Sequence, residues 1–167
     1  MADLNESKVK TLLAKGKYNE AGEILNHFVE REKDNDIAWY LLGILAMKLK
    51  NYNLAHEHFE RALMIKKRPE YVMFDGLAYL ELLDVEEAEG RFSEYLSKYG
   101  DKPEVNFYLG VCYLLQGDPR SNEQIKKAYA ADKKRTIRML NEFFHEVIEK
   151  NPRFDESVKQ QIRKRLS

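Results

Sequence analysis

Apolar residues recur along this chain at spacings of three and four, in stretches broken by short polar turns, and that spacing is the mark of amphipathic helices. The turns read Lys15-Gly16-Lys17-Tyr18-Asn19, Leu49-Lys50-Asn51-Tyr52-Asn53, Leu83-Asp84-Val85-Glu86 and Gln116-Gly117-Asp118-Pro119. The pattern predicts helices near 6–15, 18–31, 36–48, 52–65, 69–82, 86–98, 103–115 and 121–131. After Asp132, Ile137, Leu140, Phe144, Val147 and Ile148 predict another amphipathic helix, ended by Asn151-Pro152. Val158, Ile162 and Leu166, at i, i+4 and i+8, predict a last one from about Asp155, for nine or ten helices in all.

The same residue types return at a fixed interval. Gly43, Gly76 and Gly110 are 33 and 34 residues apart, and Ala21, Ala55 and Ala88 are 34 and 33 apart. Phe59 and Phe92, Tyr79 and Tyr113, Tyr18 and Tyr52, and Pro69 and Pro103 keep the period. Each period holds two helices, so the unit is an antiparallel helix pair. In the second unit Trp39, Leu42, Gly43 and Ala46 share one face, and Ala55, Phe59 and Ala62 share another, small residues flanking a large one so that two helices can nest. Pro69 and Pro103 stand at the first turn of a helix, where a missing N–H costs nothing.

Composition agrees with an all-α fold. The 167 residues include only 8 Gly and 4 Pro, and 44% are hydrophobic, enough for a core. Lys plus Arg and Asp plus Glu are balanced at 28 each, which disfavours a strongly basic nucleic-acid binder and an acidic tail protein.

These residues resemble a tetratricopeptide repeat (TPR). The family pattern of Trp, Leu-Gly, Tyr, Ala, Phe, Ala and Pro is matched in order by Trp39, Leu42-Gly43, Ala55, Phe59 and Ala62; by Gly76, Tyr79, Ala88 and Phe92; and by Leu109-Gly110 and Tyr113. The likeness covers about residues 6–131. The first unit keeps Leu12, Ala21 and Leu25 without a Leu-Gly pair, and the fourth needs a one-residue deletion to bring Ala128 into register. The resemblance implies a right-handed superhelical solenoid of antiparallel helix pairs in a single domain over 1–167, with repeats at about 6–34, 35–68, 69–102 and 103–132. Helices over about 134–166 would then cap the last repeat's apolar face.

Candidate chemistry is sparse. His56 and His58, two residues apart on a helix, point about 200° away from each other and cannot grip one metal. His145-Glu146 lacks the second His of a zinc-protease helix, and Gly16-Lys17 lacks a phosphate-cradling loop. The reading is therefore no enzyme, no cofactor, no metal and no small-molecule substrate. Asp75 is the one local contradiction, a carboxylate where the other units place Leu42 and Leu109, and it needs a partner or water. The single Cys112 cannot form an internal disulfide. The opening Met1-Ala2-Asp3-Leu4-Asn5-Glu6 carries neither a basic region nor an apolar run, so the expected location is cytoplasmic.

Where function lies is read from the inner face of each first helix. In proteins resembling this one those positions line a concave groove that binds a peptide or helix of another protein. Here they hold Ile37, Tyr40, Ile44 and Met47; Glu70, Met73, Leu77 and Leu80; and Glu104, Phe107, Val111 and Leu114, ten of twelve apolar. The expected partner is a hydrophobic peptide or amphipathic helix, anchored by Tyr40 and Phe107 with Met47 and Met73 packing adaptably. Lys, Asn and Arg on these faces, which in some family members hold acidic chaperone tails, are replaced here by Tyr40, Leu41, Met73 and Phe74. The groove could instead be filled by a terminal helix of the chain or by a second copy in a homodimer. A third reading draws on the net charge of +6 from Pro119 onward, with clusters Lys133-Lys134-Arg135 and Arg163-Lys164-Arg165, and has these helices touch RNA or an anionic membrane. No aromatic residues interleave with the clusters as a stacking platform would require, so nucleic acid is the less favoured partner.

Overall fold

The computed structural model describes residues 3–166, without the side chains of 165 and 166; Met1 and Ala2 of the opening stretch and the side chains of Arg165 and Leu166 in the last helix lie outside the described residues. Every described regular element is helical: α1 (Glu6–Ala14), α2 (Tyr18–Arg31), α3 (Asp36–Lys48), α4 (Tyr52–Ile65), α5 (Pro69–Glu81), α6 (Val85–Tyr99), α7 (Pro103–Leu115), α8 (Ser121–Ala131), α9 (Lys133–Phe143) and α10 (Glu156–Leu166). Eight of these lie within a residue of the ranges read from the period.

Local chemistry sets the ends. The side chains of Asn5, Asn35 and Asn51 accept from the backbone N–H of Lys8, Ala38 and Leu54, satisfying donors that a helix start leaves open. Pro69 and Pro103 occupy the first turns of α5 and α7. Each first helix of a pair stops in a left-handed residue at the same point of the repeat: Gly16, Lys50, Leu83 and Gly117, with φ of 73°, 58°, 60° and 72°. The backbone N–H groups of that residue and of the one after it bond back into the last turn, as Lys50 does to Met47 and Asn51 to Ala46.

The chain forms two compact units, one ending at Gly100 and the other beginning at Asp101. In the first, α1 to α3 share a core of Val9, Leu12, Leu25, Leu41 and Leu45, and a second cluster joins Ala46, Ala55, Phe59 and Ala78. The repeated glycines explain themselves here. A Cβ on Gly43 would overlap the Phe59 ring, and one on Gly76 would come within 2.7 Å of Phe92. Trp39 departs from the expected core stripe: it is half-buried at the helix edge, its Nε1 donating to the Lys33 carbonyl at 2.8 Å and its ring lying 5.6 Å from His58 and 5.5 Å from the Arg61 guanidinium. The core positions of α3 are taken instead by Ala38, Leu41, Leu42, Leu45 and Ala46.

In the second unit α7 and α8 pair, and α9 runs on into a π-helical segment, Phe144–Glu149. That wider turn brings Phe144 and Ile148 into a core with Ile162 of α10. It leaves Ile137, read as part of the same apolar face, 42% exposed, with Val158 at 36%. No described helix is long and apolar enough to cross a membrane.

Candidate functional site

The inner residues of α3, spaced i, i+3, i+7 and i+10, emerge as one row: Ile37, Tyr40, Ile44 and Met47 are all half-buried. On α5, Met73, Phe74 and Leu77 are half-buried in the same way, whereas Leu80 is buried. Aromatic stacking joins the two helices. The Tyr40 ring stacks on Tyr71 at 4.8 Å, meets Phe74 edge-on at 5.7 Å and lies 6.0 Å from Phe59. Asp36 fastens the N-terminal ends together, accepting from Tyr71 Oη at 2.7 Å and from Arg68 Nε at 2.8 Å. Burial would raise the Asp36 carboxyl, but these two donors outweigh it and hold it below its ordinary value. Burial, reinforced by the charge of Glu70, pushes the Tyr40 hydroxyl up to about 12, so Tyr40 itself stays protonated.

On α7 the corresponding residues sit differently. Phe107 and Val111 are buried at 1% and 0% exposure, and Leu114 is half-buried. Glu104 receives Arg135 Nη1 of α9 at 2.6 Å, and Leu114 and Leu115 line a cleft of about 320 Å³ with Phe154, Val158 and Ile162. The chain's own C-terminal segments thus approach both ends of this face.

Asp75 finds its partners across helices. Fully buried on α5, it accepts from His56 Nδ1 at 2.7 Å and from Arg91 Nε at 2.6 Å. Arg91 also pairs with Glu60 and Glu94, and His56 Nε2 meets Tyr79 Oη at 3.1 Å. Burial raises the Asp75 carboxyl against the pull of His56 and Arg91. His56, Glu60 and Asp75 bring donor atoms within 4.8 Å of one another, a spacing a metal could use. The Arg91 guanidinium bonds both carboxylates, so the group reads as an ion-pair network locking α4, α5 and α6. Sequence spacing singled out Asp75 but could not name Arg91, 16 residues away on the next helix.

Two further clefts open on the first unit. One of about 690 Å³ is lined by Val29, Glu30, Asp34, Trp39, Arg61 and Met64, and another of about 540 Å³ lies on the His56–Met64 side of α4. The basic clusters of the second unit are partly neutralised within the chain: besides Arg135, Arg163 pairs with Glu149 and Glu156, while Lys133 lies 5.5 Å from the Tyr129 ring.

Successive helix pairs repeating every 33 to 34 residues, three of them nested through a glycine against an aromatic or aliphatic side chain (Gly43 on Phe59, Gly76 on Phe92, Gly110 on Ile125), define the class of tetratricopeptide repeat folds. Two tetratricopeptide repeat models match, one over residues 37–68 and one over residues 76–134, together more than half of the chain. The chain belongs to the tetratricopeptide repeat family. Among solved structures, MamA is 22% identical over 76% of this chain and 75% of its own, with a TM-score of 0.69. MamA from residue 41 to its end, from Desulfovibrio magneticus RS-1, is 18% identical over 96% of this chain and 89% of its own, with a TM-score of 0.70. YrrB, described as a TPR protein with an unusual peptide-binding site, is 18% identical over 93% and 88%, with a TM-score of 0.62. Likeness at these identities speaks to the fold. Comparison with the curated proteins returned no match.

Proposed function

We propose that the protein is a cytoplasmic interaction scaffold, and that the strip on α3 and α5 binds an apolar peptide or amphipathic helix of another protein. The observation that carries this reading is the continuous half-exposed row of Ile37, Tyr40, Ile44, Met47, Met73, Phe74 and Leu77 on two neighbouring helices. Aromatic and Met side chains are enriched at the core of protein contacts, and Tyr is among the residues that dominate their energy. The tetratricopeptide repeat fold and the peptide-binding site named for YrrB support it. A second reading, in which the chain fills its own groove, is favoured for the α7 portion by the burial of Phe107 and Val111.

Leu77→Glu separates the readings. On a partner-binding face it places a charge in a desolvated contact, weakening binding by several kcal/mol with little effect on folding. If Leu77 serves the internal packing instead, the variant lowers the melting temperature sharply. If the face joins two copies, sedimentation shows a larger species converted to a stable monomer. Unchanged stability, assembly and binding would remove the proposal.

A further inference from the structure

The helices α5 and α7 carry the same inner-face pattern 34 residues apart. Pro69, Glu70, Met73, Leu77 and Leu80 correspond to Pro103, Glu104, Phe107, Val111 and Leu114. The two faces differ in what meets them. On α7 the chain's own C-terminal segments reach both ends of the face: Arg135, from the Lys133-Lys134-Arg135-Thr136-Ile137-Arg138 start of α9, meets Glu104 at 2.6 Å, and the apolar Phe154, Val158 and Ile162 share a cleft with Leu114. Between those ends Phe107 and Val111 are buried. On α5, Met73 and Leu77 remain half-exposed, and Glu70 makes no ion pair among the described residues. Arg68, whose charge also acts on Glu70, makes its ion pair with Asp36 at 2.8 Å and lies over the Tyr71 ring at 5.9 Å. Lys66, Lys67 and Arg68 precede α5, but residues 1–100 as a whole carry an excess of acid, 14 Lys plus Arg against 18 Asp plus Glu.

We infer that the segment docking on α5 is a basic amphipathic helix, with an Arg or Lys meeting Glu70 and an apolar face over Met73 and Leu77. The Arg135–Glu104 pair and the apolar cleft at Leu114, on the equivalent face of α7, are the internal template for this chemistry. The inference rests on the reading of the α3–α5 strip as a docking face and adds the charge of the partner to it. An unpaired carboxylate at the end of an apolar strip rewards a cation and penalises an acid, so charge here selects among apolar segments that would otherwise bind alike.

The test uses the full chain and two fluorescein-labelled synthetic peptides, one copying residues 133–149 and one in which its Lys133, Lys134, Arg135 and Arg138 are replaced by Glu, read by anisotropy at low salt. The basic peptide is expected to bind at least tenfold more tightly than the acidic one. Glu70→Gln should reduce that ratio about two- to fivefold, as for loss of one partly exposed ion pair, and Glu70→Lys should reduce it further. Met73→Ala should weaken both peptides together, as should Leu77→Glu once circular dichroism shows it folded. Equal binding of the two peptides, a ratio indifferent to Glu70, or binding of neither would overturn the basic partner. If the peptides bind with unequal affinity but neither Met73→Ala nor Leu77→Glu weakens them, the docking face itself is wrong.

Discussion

Lys50 and Leu83 hold left-handed backbone at the points where the other two pairs have Gly16 and Gly117. A side chain in that region costs about 1–2 kcal/mol, part of which glycine gives back through its freedom in the unfolded chain. Lys50→Gly, at an exposed position, should therefore stabilise the protein by about 0.5–1 kcal/mol, seen as a raised urea midpoint at unchanged slope. Asp36 gives a pH signature. Its carboxyl is below its ordinary value of 3.8 in the native state, so its contribution is complete above that value and is lost as pH falls through the lower native one. Asp36→Asn should flatten that part of the stability profile below about pH 4, measured by urea unfolding at a series of pH values; an unchanged acid profile would show the Tyr71 and Arg68 contacts to be energetically idle. The glycine period was legible in the sequence because Gly43 and Gly76 face aromatic rings of the paired helix. Trp39 was misread as core because a match to the family's Trp says nothing of how much of so large a ring stays outside.

At the level of elements, the tie between α4, α5 and α6 is polar where other repeats are apolar. Arg91→Met would leave the fully buried Asp75 with only His56, and should cost about 3 kcal/mol, near the lower end for breaking a buried ion pair. The double change Asp75→Leu with Arg91→Met installs the residue that Leu42 and Leu109 provide elsewhere, and most of the loss should be recovered. Thermal unfolding of both variants checks this, and a double variant no more stable than Arg91→Met alone would mean the network does more than replace a leucine. Element boundaries could be read because turns and caps are local. Burial of Leu80, Phe107 and Val111 could not, since helical spacing assigns a side to a residue without saying what later segments bring to it. The π-helical turn at Phe144–Glu149 has no such local signal in the sequence; Phe144 and Ile148 within it pack with Ile162 of α10.

For the molecule as a whole, the proposed docking face lies on α3 and α5, and the C-terminal segments reach both ends of the matching face of α7. Methionine methyl groups report on this directly. Met47 and Met73 lie in the strip, Met64 is 81% exposed beside the Trp39 cleft, and Met139 sits on α9 in the second unit. With methyl-¹³C methionine in the full chain, titration with the peptide copying residues 133–149 should shift the resonances of Met47 and Met73 and leave those of Met64 and Met139 in place. Movement of Met64 with Met47 and Met73 unmoved would put the binding face at the Trp39 cleft and contradict the account.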